Sequence, residues 1–560
     1  MKNLILSFFL LTIIFSSNVQ AQEKNKEPLE KSGDSYIPNE FNRMKTSPPK
    51  GLFKIKNRSS SSSSITTYQV NVNNAGLNIV GDAANEPSIA INPINPNQIV
   101  IGWRQFDNVT SNFRQAGWAY SSDAGLTWTF PGSIEPGVFR SDPVLDCDLS
   151  GNFYYNSLTI DSANTFLCKI FKSTDGGVTW DTGVDAGGGD KEWMIIDKTS
   201  GPGNGNIYST WSQFSSSCAP GSFTRSTTAG TSFENCTEVL NQPQLGTMIV
   251  GNSGEVYICG QDIVNNAGIA IAKSTNAQVP GSLITWNPVV VVFMDGIIQS
   301  GGINPVGLIG QGNIDVDRSN GVGQDNIYLL ATMMRTSNFD PGDVMFAKSS
   351  DGALTWSSPV KLNDDTLTTN TQWLGTLSVA PNGRIDVIWL DTRDNPGSDS
   401  SALYYSYSND QGTTWSIDEK LSDSFDPHVG YPNQDKMGDY FHMISDNTGA
   451  HLAWVNTLNG EQDIYYSHIA PQVATGVSTL LNEINFSISP NPTTSGHISI
   501  KCDFKISHFE ILSVQGKRII SLPINTSLKD QDISSLPNGI YILKVFTPEG
   551  QTAIRKLIKQ

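Results

Sequence analysis

Short runs of alternating apolar and polar residues recur along the middle of the chain, in pairs separated by a polar turn. Each pair predicts two β-strands joined by a turn, because alternation with a period of two places every second side chain on the same face of a strand. Seven such units follow one another at intervals of roughly 50–66 residues. They occupy residues 87–103, 143–158, 193–211, 247–260, 313–331, 376–390 and 441–455.

A third strand ending in Ser follows each unit, and a fourth strand follows in the first six. Four antiparallel strands repeated seven times predict an all-β fold, a seven-bladed β-propeller. A six-bladed ring and a right-handed solenoid are the alternatives. The last repeat lacks its fourth strand, and we expect the run at residues 65–74 to supply it. The closed ring would then leave no exposed sheet edge.

The connection between the third and fourth strands carries one octapeptide four times: SSDAGLTW at 121–128, STDGGVTW at 173–180, SSDGALTW at 349–356 and SNDQGTTW at 408–415. Its Asp and Gly suit a tight turn in which the carboxylate accepts hydrogen bonds from backbone amides. A catalytic motif usually occurs once in a chain, so the four copies of this octapeptide indicate a structural hairpin. The residues with this role are Asp123, Trp128, Asp175, Trp180, Asp351, Trp356, Asp410 and Trp415.

The octapeptide resembles the Asp box, or bacterial neuraminidase (BNR) repeat, of sialidase-type propellers, although Ala353 stands where that family prefers Gly. The resemblance covers residues 65–470 and implies a sialidase-like propeller whose boxes lie on the face away from the active site. Strand order predicts the same division. The loops before the first strand and after the second strand of each blade share the other face, where binding residues are expected.

Acidic and basic residues are frequent in the loops of this expected binding face. In sialidases three arginines clamp the carboxylate of the sugar, because a planar guanidinium matches a carboxylate with two hydrogen bonds. The resemblance implies that this clamp consists of Arg104, Arg335 and Arg393. Further residues expected to contact the substrate are Arg140, Asp82, Glu86 and Asp439.

The resemblance also implies a set of catalytic residues. Sialidases use a tyrosine nucleophile paired with a glutamate, together with an acidic residue that acts as acid and base. Here Tyr440 is the candidate nucleophile, Glu192 its activating carboxylate, and Asp142 or Asp107 the acid. The chain departs from the family in having seven repeats where sialidases have six blades. It also lacks a Phe-Arg-Ile-Pro-like stretch on the first inner strand, the nearest being WRQF at 103–106.

The favoured function is a secreted or cell-surface glycoside hydrolase that acts on extracellular glycans. One alternative is a non-catalytic propeller that binds glycan or protein, in which the charges of the binding face pair with one another. A propeller-type polysaccharide lyase is the other alternative, and it would need His and Tyr near the axis. His442 and His451 lie on predicted strands, where a packed role is expected.

Composition supports an exported protein. The 560 residues carry a formal net charge of −17, which disfavours non-specific binding to nucleic acid. Residues 1–21 consist of a basic start, an apolar run and small residues at the end, which predicts a signal peptide and not a membrane anchor. Residues 22–64 are polar and end in a serine run, which predicts a disordered leader.

Cysteines and acidic turns leave several possibilities open. Among six cysteines we favour the pairs Cys147–Cys168 and Cys218–Cys236, each flanking a predicted hairpin, with buried free thiols as the alternative.

The stretch DVDRSNGVGQDN at 315–326 loosely resembles a calcium loop, but ordinary turn chemistry is the favoured interpretation. No cofactor is expected, apart from this possible structural calcium.

The last segment has its own pattern of strands and turns and is predicted to be a small β-sandwich. A linker at residues 471–483 separates residues 484–560 from the propeller. The segment resembles the type A C-terminal sorting domain of the type IX secretion system in PNP at 490–492, GK at 516–517, GIY at 539–541 and its basic end. The resemblance implies that the secretion machinery is a partner, and that the protein reaches the outer-membrane surface of a Gram-negative bacterium.

Overall fold

The structure is a computed structural model that describes residues 63–213, 216–264, 268–298, 300–471, 486–513, 517–548 and 552–560. The predicted signal peptide at 1–21 lies outside the described residues, as do all but the ends of the predicted leader and linker. The chain divides into two compact units, residues 1–472 and 473–560. Every regular element described is a β-strand, and no helix among the described residues is long and apolar enough to span a membrane.

The first unit begins with strand β1 (Ser64–Gln69). Three antiparallel sheets follow it along the chain, and we call them blades 1 to 3. Blade 1 consists of β2 (Ala83–Ile91), β3 (Ile99–Phe106), β4 (Gln115–Ser121) and β5 (Thr129–Ile134). Blade 2 consists of β6 (Ser141–Cys147), β7 (Phe153–Ile160), β8 (Phe166–Ser173) and β9 (Val184–Asp185). Blade 3 consists of β10 (Trp193–Ile196), β11 (Ile207–Thr210) and β12 (Phe223–Ser226).

Four further blades follow in the same unit. Blade 4 consists of β13 (Met248–Val250), β14 (Val256–Gln261), β15 (Ile269–Ser274) and β16 (Val290–Val292). An insertion then carries β17 (Gly296–Ile297), β18 (Ser300–Gly301) and β19 (Asn304–Leu308). Blade 5 consists of β20 (Asn313–Val316), β21 (Ile327–Arg335), β22 (Asp343–Ser349) and β23 (Val360–Lys361). Blade 6 consists of β24 (Gln372–Val379), β25 (Ile385–Asp391), β26 (Ala402–Ser408) and β27 (Glu419–Lys420). Blade 7 consists of β28 (His442–Ser445), β29 (Ala450–Asn456) and β30 (Asp463–Ala470).

The first strands of the blades contact one another in order around a ring. The amide of Leu145 in blade 2 donates to Ser88 Oγ in blade 1 over 2.9 Å. The same Ser88 hydroxyl lies 2.9 Å from Nδ1 of His442 in blade 7, so the last blade lies against the first. Apolar side chains between the sheets form the core, which includes the fully buried Trp103, Trp373 and Trp454. The predicted all-β propeller architecture is confirmed.

Strand β1 completes blade 7 from the opposite end of the unit. It pairs antiparallel with β30, with Thr67 opposite Ser467 and their hydroxyl oxygens 2.8 Å apart. The amide of Val70 continues the pairing by donating to the carbonyl of Ile464. The prediction that a strand ahead of the first repeat supplies the missing fourth strand is confirmed.

The four octapeptides form hairpins, as their repetition indicated. In the first copy, Asp123 accepts hydrogen bonds from the Thr127 amide over 2.9 Å and from its hydroxyl over 2.7 Å. The indole of Trp128 donates to the Gly125 carbonyl over 3.1 Å. The amide of Ala124 donates to the carbonyl of Asn97, which lies in the turn between the first two strands of blade 1. The octapeptides and these turns therefore share one face, as the strand order predicted.

Blade 3 shows that the octapeptide tolerates loss of its aspartate. In STTAGTSF at 226–233, Thr228 occupies the Asp position, and its hydroxyl accepts from the amide of Ser232. In the second octapeptide, Asp175 accepts hydrogen bonds from the amide and the hydroxyl of Thr179. We therefore expect Asp175→Ala, which removes these bonds, to lower the free energy of unfolding by only about 1 kcal/mol. Chemical unfolding of the variant beside Asp423→Ala, at an exposed site, measures this. An unchanged free energy would contradict the hairpin role.

One of the two predicted disulfides is present. Cys218 and Cys236 are bonded, whereas Cys147 and Cys168 are buried free thiols, so the predicted Cys147–Cys168 pair is wrong. Cys147 closes β6 and Cys168 lies in β8, and the two strands lie on opposite sides of β7. The central strand holds their side chains apart, a separation that hairpin spacing alone does not reveal.

The second unit is a five-stranded antiparallel sheet built from β31 (Phe486–Ser489), β32 (His497–Ser513), β33 (Arg518–Asp532), β34 (Gly539–Phe546) and β35 (Thr552–Lys559). Strand β32 pairs with β33 on one side and with β31 and β34 on the other. The sequence predicted a small β-sandwich, and the strands enclose one core that includes Ile500, Phe509 and Leu543, while hydrogen bonds join all five strands. Register shifts interrupt the pairing of β32 with β33, and such irregularities bend a strand.

Candidate functional site

Three successive blades place a charged residue in a left-handed backbone conformation near the start of the first strand. These are Glu86 with φ of 52°, Asp142 with φ of 46° and Lys191 with φ of 59°. The ladders of blades 1 and 2 shift register at these points, which re-aims the side chains. Left-handed φ costs a non-glycine residue on the order of 1–3 kcal/mol, so surrounding contacts must hold these residues in place.

Those contacts are an alternating chain of buried ion pairs. Arg104 Nε lies 3.1 Å from Glu86 Oε2, and Glu86 Oε1 lies 2.8 Å from Lys436 Nζ. Lys436 Nζ also lies 2.7 Å from Asp439 Oδ2, which contacts Lys191 as well. Lys191 Nζ in turn lies 3.9 Å from Asp142 Oδ2. We call Glu86, Arg104, Asp142, Lys191, Lys436 and Asp439 the axial network; none of their side chains is more than 5% exposed.

Within the axial network, partners decide the protonation of each carboxyl. Burial acts to raise the pKa of Asp142 and of Asp439, but the charges of Lys191 and Lys436, together with further hydrogen bonds, outweigh it and hold both pKa values below their usual range. For Glu86 burial prevails over Arg104 and Lys436, and it raises the pKa to about 7. Each carboxyl of the network thus lies beside a cation of the network, but Glu86 is held in its ionised form less firmly than Asp142 and Asp439 are.

The insertion between blades 4 and 5 reaches across to the axial network. Asn304 donates to the carbonyl of Gly438 over 2.7 Å and accepts from the amide of Met437 over 2.9 Å. The amide of Leu308 donates to Asp439 Oδ1 over 2.9 Å. A hairpin that precedes blade 5 therefore binds the loop that leads into blade 7. These contacts cover Asp439, whose side chain is 2% exposed.

The predicted nucleophile and its partner are also buried. The hydroxyl of Tyr440 donates to the carbonyl of Pro143 over 2.8 Å, and its ring lies 5.5 Å from that of Trp193. Burial raises the pKa of Tyr440 well above its usual value, so the phenol stays protonated. Glu192 is 1% exposed, and burial raises its pKa as well. Its carboxyl oxygens make no hydrogen bond to any residue that the structure describes.

The three candidate arginines of the clamp each have separate partners. Arg104 binds Glu86, while Arg335 binds Asp295 over 2.5 Å and Asp343 over 2.7 Å. Arg393 contacts a separate set of carboxylates, namely Asp364, Asp391 and Asp418. Among the described ion pairs, none of the three arginines shares a carboxylate with another, so each is neutralised separately. Arg140 likewise binds Glu135 and lies over the ring of Phe171.

A pocket of about 440 Å³ opens on the binding face of blade 1. It brings together two sequence-predicted candidates, Asp82 and Asp107, which precede β2 and follow β3. Gln105 donates to Asp82 over 2.8 Å, and Gln115 donates to Asp107 over 2.6 Å. The rest of the lining consists of Ile79, Phe130, Pro131, Gly132, Ser133 and Pro136. The pocket therefore combines carboxyl and amide groups with an aromatic ring, the mixture that small polar ligands need.

The two carboxyls of the pocket lie in different surroundings. Asp82 is 4% exposed, and its Oδ1 makes no hydrogen bond to any described residue. Burial, followed by the negative charge of Asp463, raises its pKa well above the usual value. Asp107 stands exposed at the rim, where partial burial raises its pKa although the Gln115 amide acts to lower it, and the rise is smaller than that of Asp82. Asp82 therefore stays protonated over a wider pH range than Asp107.

Several buried carboxyls predict an unusual pH dependence of stability. Burial raises the pKa of Glu86, Asp463 and Asp418 to about 7. A raised pKa contributes stability that is fully present below the unfolded value and is lost as the pH rises through the folded value. Asp142 and Asp439 act oppositely, because their lowered pKa values cost stability only below about pH 4. We therefore expect the thermal midpoint to be highest near pH 4 and to fall as the pH rises to about 7.

Thermal unfolding across pH 3–9 measures this profile, with Asp463→Asn as the matched variant. Asn71 and Asn459 donate to different oxygens of Asp463, so the amide keeps one of these two contacts and no longer titrates. While one such carboxyl titrates, its contribution changes by about 1.4 kcal/mol per pH unit. The fall between pH 4 and pH 7 should therefore be shallower in the variant. A midpoint that rises over this interval would contradict the expected sign.

The sequence analysis did not identify three residues that complete the axial network and the blade 1 pocket. Lys436 lies in the loop 431–440, whose acidic residues were selected, and it carries the positive charge between Glu86 and Asp439. Gln115 and Phe130 belong to the third and fourth strands of blade 1, whereas the search covered loops of the first two. The position of Lys436 in a loop of the binding face could have identified it. Nothing in the sequence indicates that Gln115 and Phe130 are neighbours of Asp107.

Comparison with known proteins identifies the second unit. Residues 487–560 match the family model described as the secretion system C-terminal sorting domain. The tail is a secretion sorting domain. The tail of this chain therefore directs it to secretion or to the cell surface, and the predicted contact with the secretion machinery follows from the same match. No curated protein matches the sequence.

Similar solved structures have low sequence identity. A protein of unknown function from Dyadobacter fermentans is 14% identical with a TM-score of 0.43, and the match covers 72% of this chain and 98% of that one. The Hadza microbial sialidase Hz136 is 13% identical with a TM-score of 0.37 and covers 70% and 66%. An alpha-L-arabinanase of Penicillium chrysogenum is 13% identical with a TM-score of 0.37 and covers 70% and 93%.

Proposed function

We propose that this protein acts on extracellular saccharides, and that the blade 1 pocket is the site where it hydrolyses a glycosidic bond. The observation that carries the proposal is the pairing of Asp82 and Asp107 in one pocket, with surroundings that separate their protonation. Glycoside hydrolysis needs one carboxyl that donates a proton and one that accepts a proton or attacks the sugar. The pocket volume of about 440 Å³ suits one or two sugar rings.

The roles follow from the two environments. Asp82, which lines the pocket, would hold the proton and donate it to the oxygen of the leaving sugar. Asp107, ionised at the exposed rim, would act on the water or on the anomeric carbon. Phe130, whose ring lies 5.1 Å from that of Trp103, offers an apolar surface against which a sugar ring can pack. This assignment uses Asp107 as base, whereas the sialidase resemblance offered it as an acid.

The sialidase reaction receives less support from the same geometry. Its arginine clamp would need free guanidinium groups, and Arg104, Arg335 and Arg393 are each bound to carboxylates of the chain. Its nucleophile would need a hydroxyl that faces the substrate, whereas the Tyr440 hydroxyl donates to the carbonyl of Pro143 and Tyr440 is not among the lining residues of the pocket. We therefore propose a neutral saccharide as substrate, since the pocket offers carboxyl and amide groups and no cation among its lining residues.

A second candidate function is recognition of a saccharide without cleavage. It is favoured by the internal pairing of the axial network, which resembles a structural core more than a reactive site. The same pocket would bind the ligand in this case, and Asp82 would serve only as a hydrogen-bond donor. The proposed location is the outer surface of a Gram-negative bacterium, reached by the type IX route that the sorting tail supports.

Hydrolysis and binding assays with the secreted full chain test the proposal. Fluorogenic arabinofuranosides, other neutral glycosides and a sialoside would be screened together with a panel of polysaccharides. Phe130→Ala should weaken binding or raise KM at least tenfold, whereas Phe339→Ala, at an exposed phenylalanine of blade 5, should not. Product release supports the hydrolase, and Phe130-dependent binding without release supports recognition. Neither binding nor release, or equal effects of both substitutions, would reject the pocket.

A further inference from the structure

A second side-chain cluster lies in blade 7, on the face that carries the octapeptides. It consists of Asp446, His451 and His468, whose ligand atoms all lie within 4.8 Å of one another. His451 and His468 are opposite each other on the paired strands β29 and β30, and their ring centroids are 4.7 Å apart. Asp446 belongs to the turn between β28 and β29. We propose that this triad is a binding site for a divalent transition-metal ion of the zinc type.

The second atom of each ligand is held in a way that suits metal binding. Asp446 Oδ1 accepts from the amides of Thr448 and Gly449 over 2.7 and 2.9 Å, which leaves Oδ2 directed at His451 Nε2 over 3.2 Å. His451 Nδ1 lies 2.7 Å from the hydroxyl oxygen of Tyr466. Without an ion, Nε2–H can donate to Asp446 Oδ2 and the Tyr466 hydroxyl can donate to Nδ1. With an ion bound, Nδ1–H would donate to the Tyr466 oxygen instead, and Nε2 would present its lone pair to the ion. Partners of this kind orient histidine ligands in known metal sites.

The distances suit a small ion with nitrogen and oxygen ligands. Ligand atoms that surround zinc tetrahedrally at about 2.0–2.1 Å lie about 3.3 Å apart. Asp446 Oδ2 and His451 Nε2, at 3.2 Å, already have that separation. His468 Nε2 lies 3.2 Å from the Thr448 hydroxyl and needs only to exchange that contact for the ion. Two imidazoles with one carboxylate favour zinc, copper or nickel over calcium, which prefers oxygen ligands.

The neighbouring charges permit a cation at this place. Arg384 is the nearest positive group, and it donates to the Asp446 carbonyl over 2.8 Å. Its charge is compensated by Asp386, which accepts two hydrogen bonds from it over 2.8 and 2.9 Å. Asp446 and His468 are only partly buried, so an ion has access from solvent. The ion would tie the turn at 446–449 to β29 and β30, and β30 also pairs with the closing strand β1.

Zinc titration of the metal-free full chain, prepared without a histidine tag, tests this site. We expect one equivalent of Zn²⁺ to bind by calorimetry and Co²⁺ to give the visible absorption of a tetrahedral site. His451→Gln and His468→Gln should each weaken binding at least tenfold. The matched control is His428→Gln, because His428 has Asp426 at 3.5 Å and Asp399 at 3.8 Å but no second imidazole among the described contacts. That variant should bind as the unmodified chain does.

Absence of saturable binding, or binding that survives both substitutions in the triad, would overturn the proposal. Circular dichroism establishes that the variants fold. If either histidine variant does not fold, Asp446→Asn decides the matter by the same tenfold criterion. Its Oδ1 can keep the contacts with the turn amides, while the neutral amide is a poor substitute for the Oδ2 ligand.

Discussion

Replacing Asp107 with Asn is expected to lower kcat/KM for the cleaved saccharide by about 10²–10⁴-fold, the usual contribution of a general base. The amide keeps the size of the side chain and an oxygen that can accept from Gln115. It cannot take a proton from water or attack the sugar. Ligand binding should change little, so the loss should appear in kcat. Initial rates of product release, measured with a binding assay on the same samples, separate the two effects.

Two further variants complete that experiment. Asp423→Asn changes an exposed carboxylate outside the pocket and should retain full activity. Asp82→Asn removes the proposed acid and should abolish the fall of kcat/KM on the alkaline side of the pH profile, since that fall reports deprotonation of Asp82. Full activity of Asp107→Asn would exclude the proposed base while leaving saccharide recognition by the pocket possible.

Replacing Lys191 with Met is expected to lower the free energy of unfolding by about 3–5 kcal/mol, the cost of breaking a buried ion pair on one side. Lys191 is the cation that contacts both Asp142 and Asp439, and all three side chains are at most 5% exposed. Methionine preserves much of the packed volume but leaves Asp142 without its nearest cation. The two carboxylates would then have to take up protons or water, and the strained backbone at Lys191 would lose its support.

The matched control is Lys420→Met. Lys420 Nζ lies 2.7 Å from Asp394 Oδ2, but both side chains are about one third exposed. An exposed pair contributes only about 0–1 kcal/mol, because water competes for both charges. Thermal and chemical unfolding of the two variants therefore compares the same substitution in two environments. Equal losses would show that the axial network is not the stabilising core that its contacts indicate.

Much of the fold could be predicted from the sequence because its signals are local. Alternation of apolar and polar residues specifies strands within a few residues, and its sevenfold recurrence specifies repeated sheets. The Asp and Gly of the octapeptides specify a hairpin through contacts that span only four residues, such as Asp123 with Thr127. The closing strand was also predictable, because the seventh repeat lacks a fourth strand and an unassigned strand precedes the first repeat.

The candidate site was predictable only in part. Strand order places Asp82, Glu86 and Arg104 on one face, and the structure finds them there. The sequence did not predict which of these charged residues form ion pairs with one another. Glu86 and Lys436 are far apart in sequence and meet only because blade 7 lies against blade 1. The family resemblance suggested a shared arginine clamp, whereas each arginine binds carboxylates near its own blade.

The sequence by itself determined the strands, the repeats, the hairpins and the sorting tail, because each depends on residues that are near one another along the chain. Only the tertiary structure decided that Asp82 and Asp107 share a pocket with Phe130, that an insertion covers Asp439, and that two histidines and an aspartate converge in blade 7. Such contacts depend on distances across blades and around the ring. Pairing energies of buried charges follow from those distances and from burial, and neither is encoded in any local pattern.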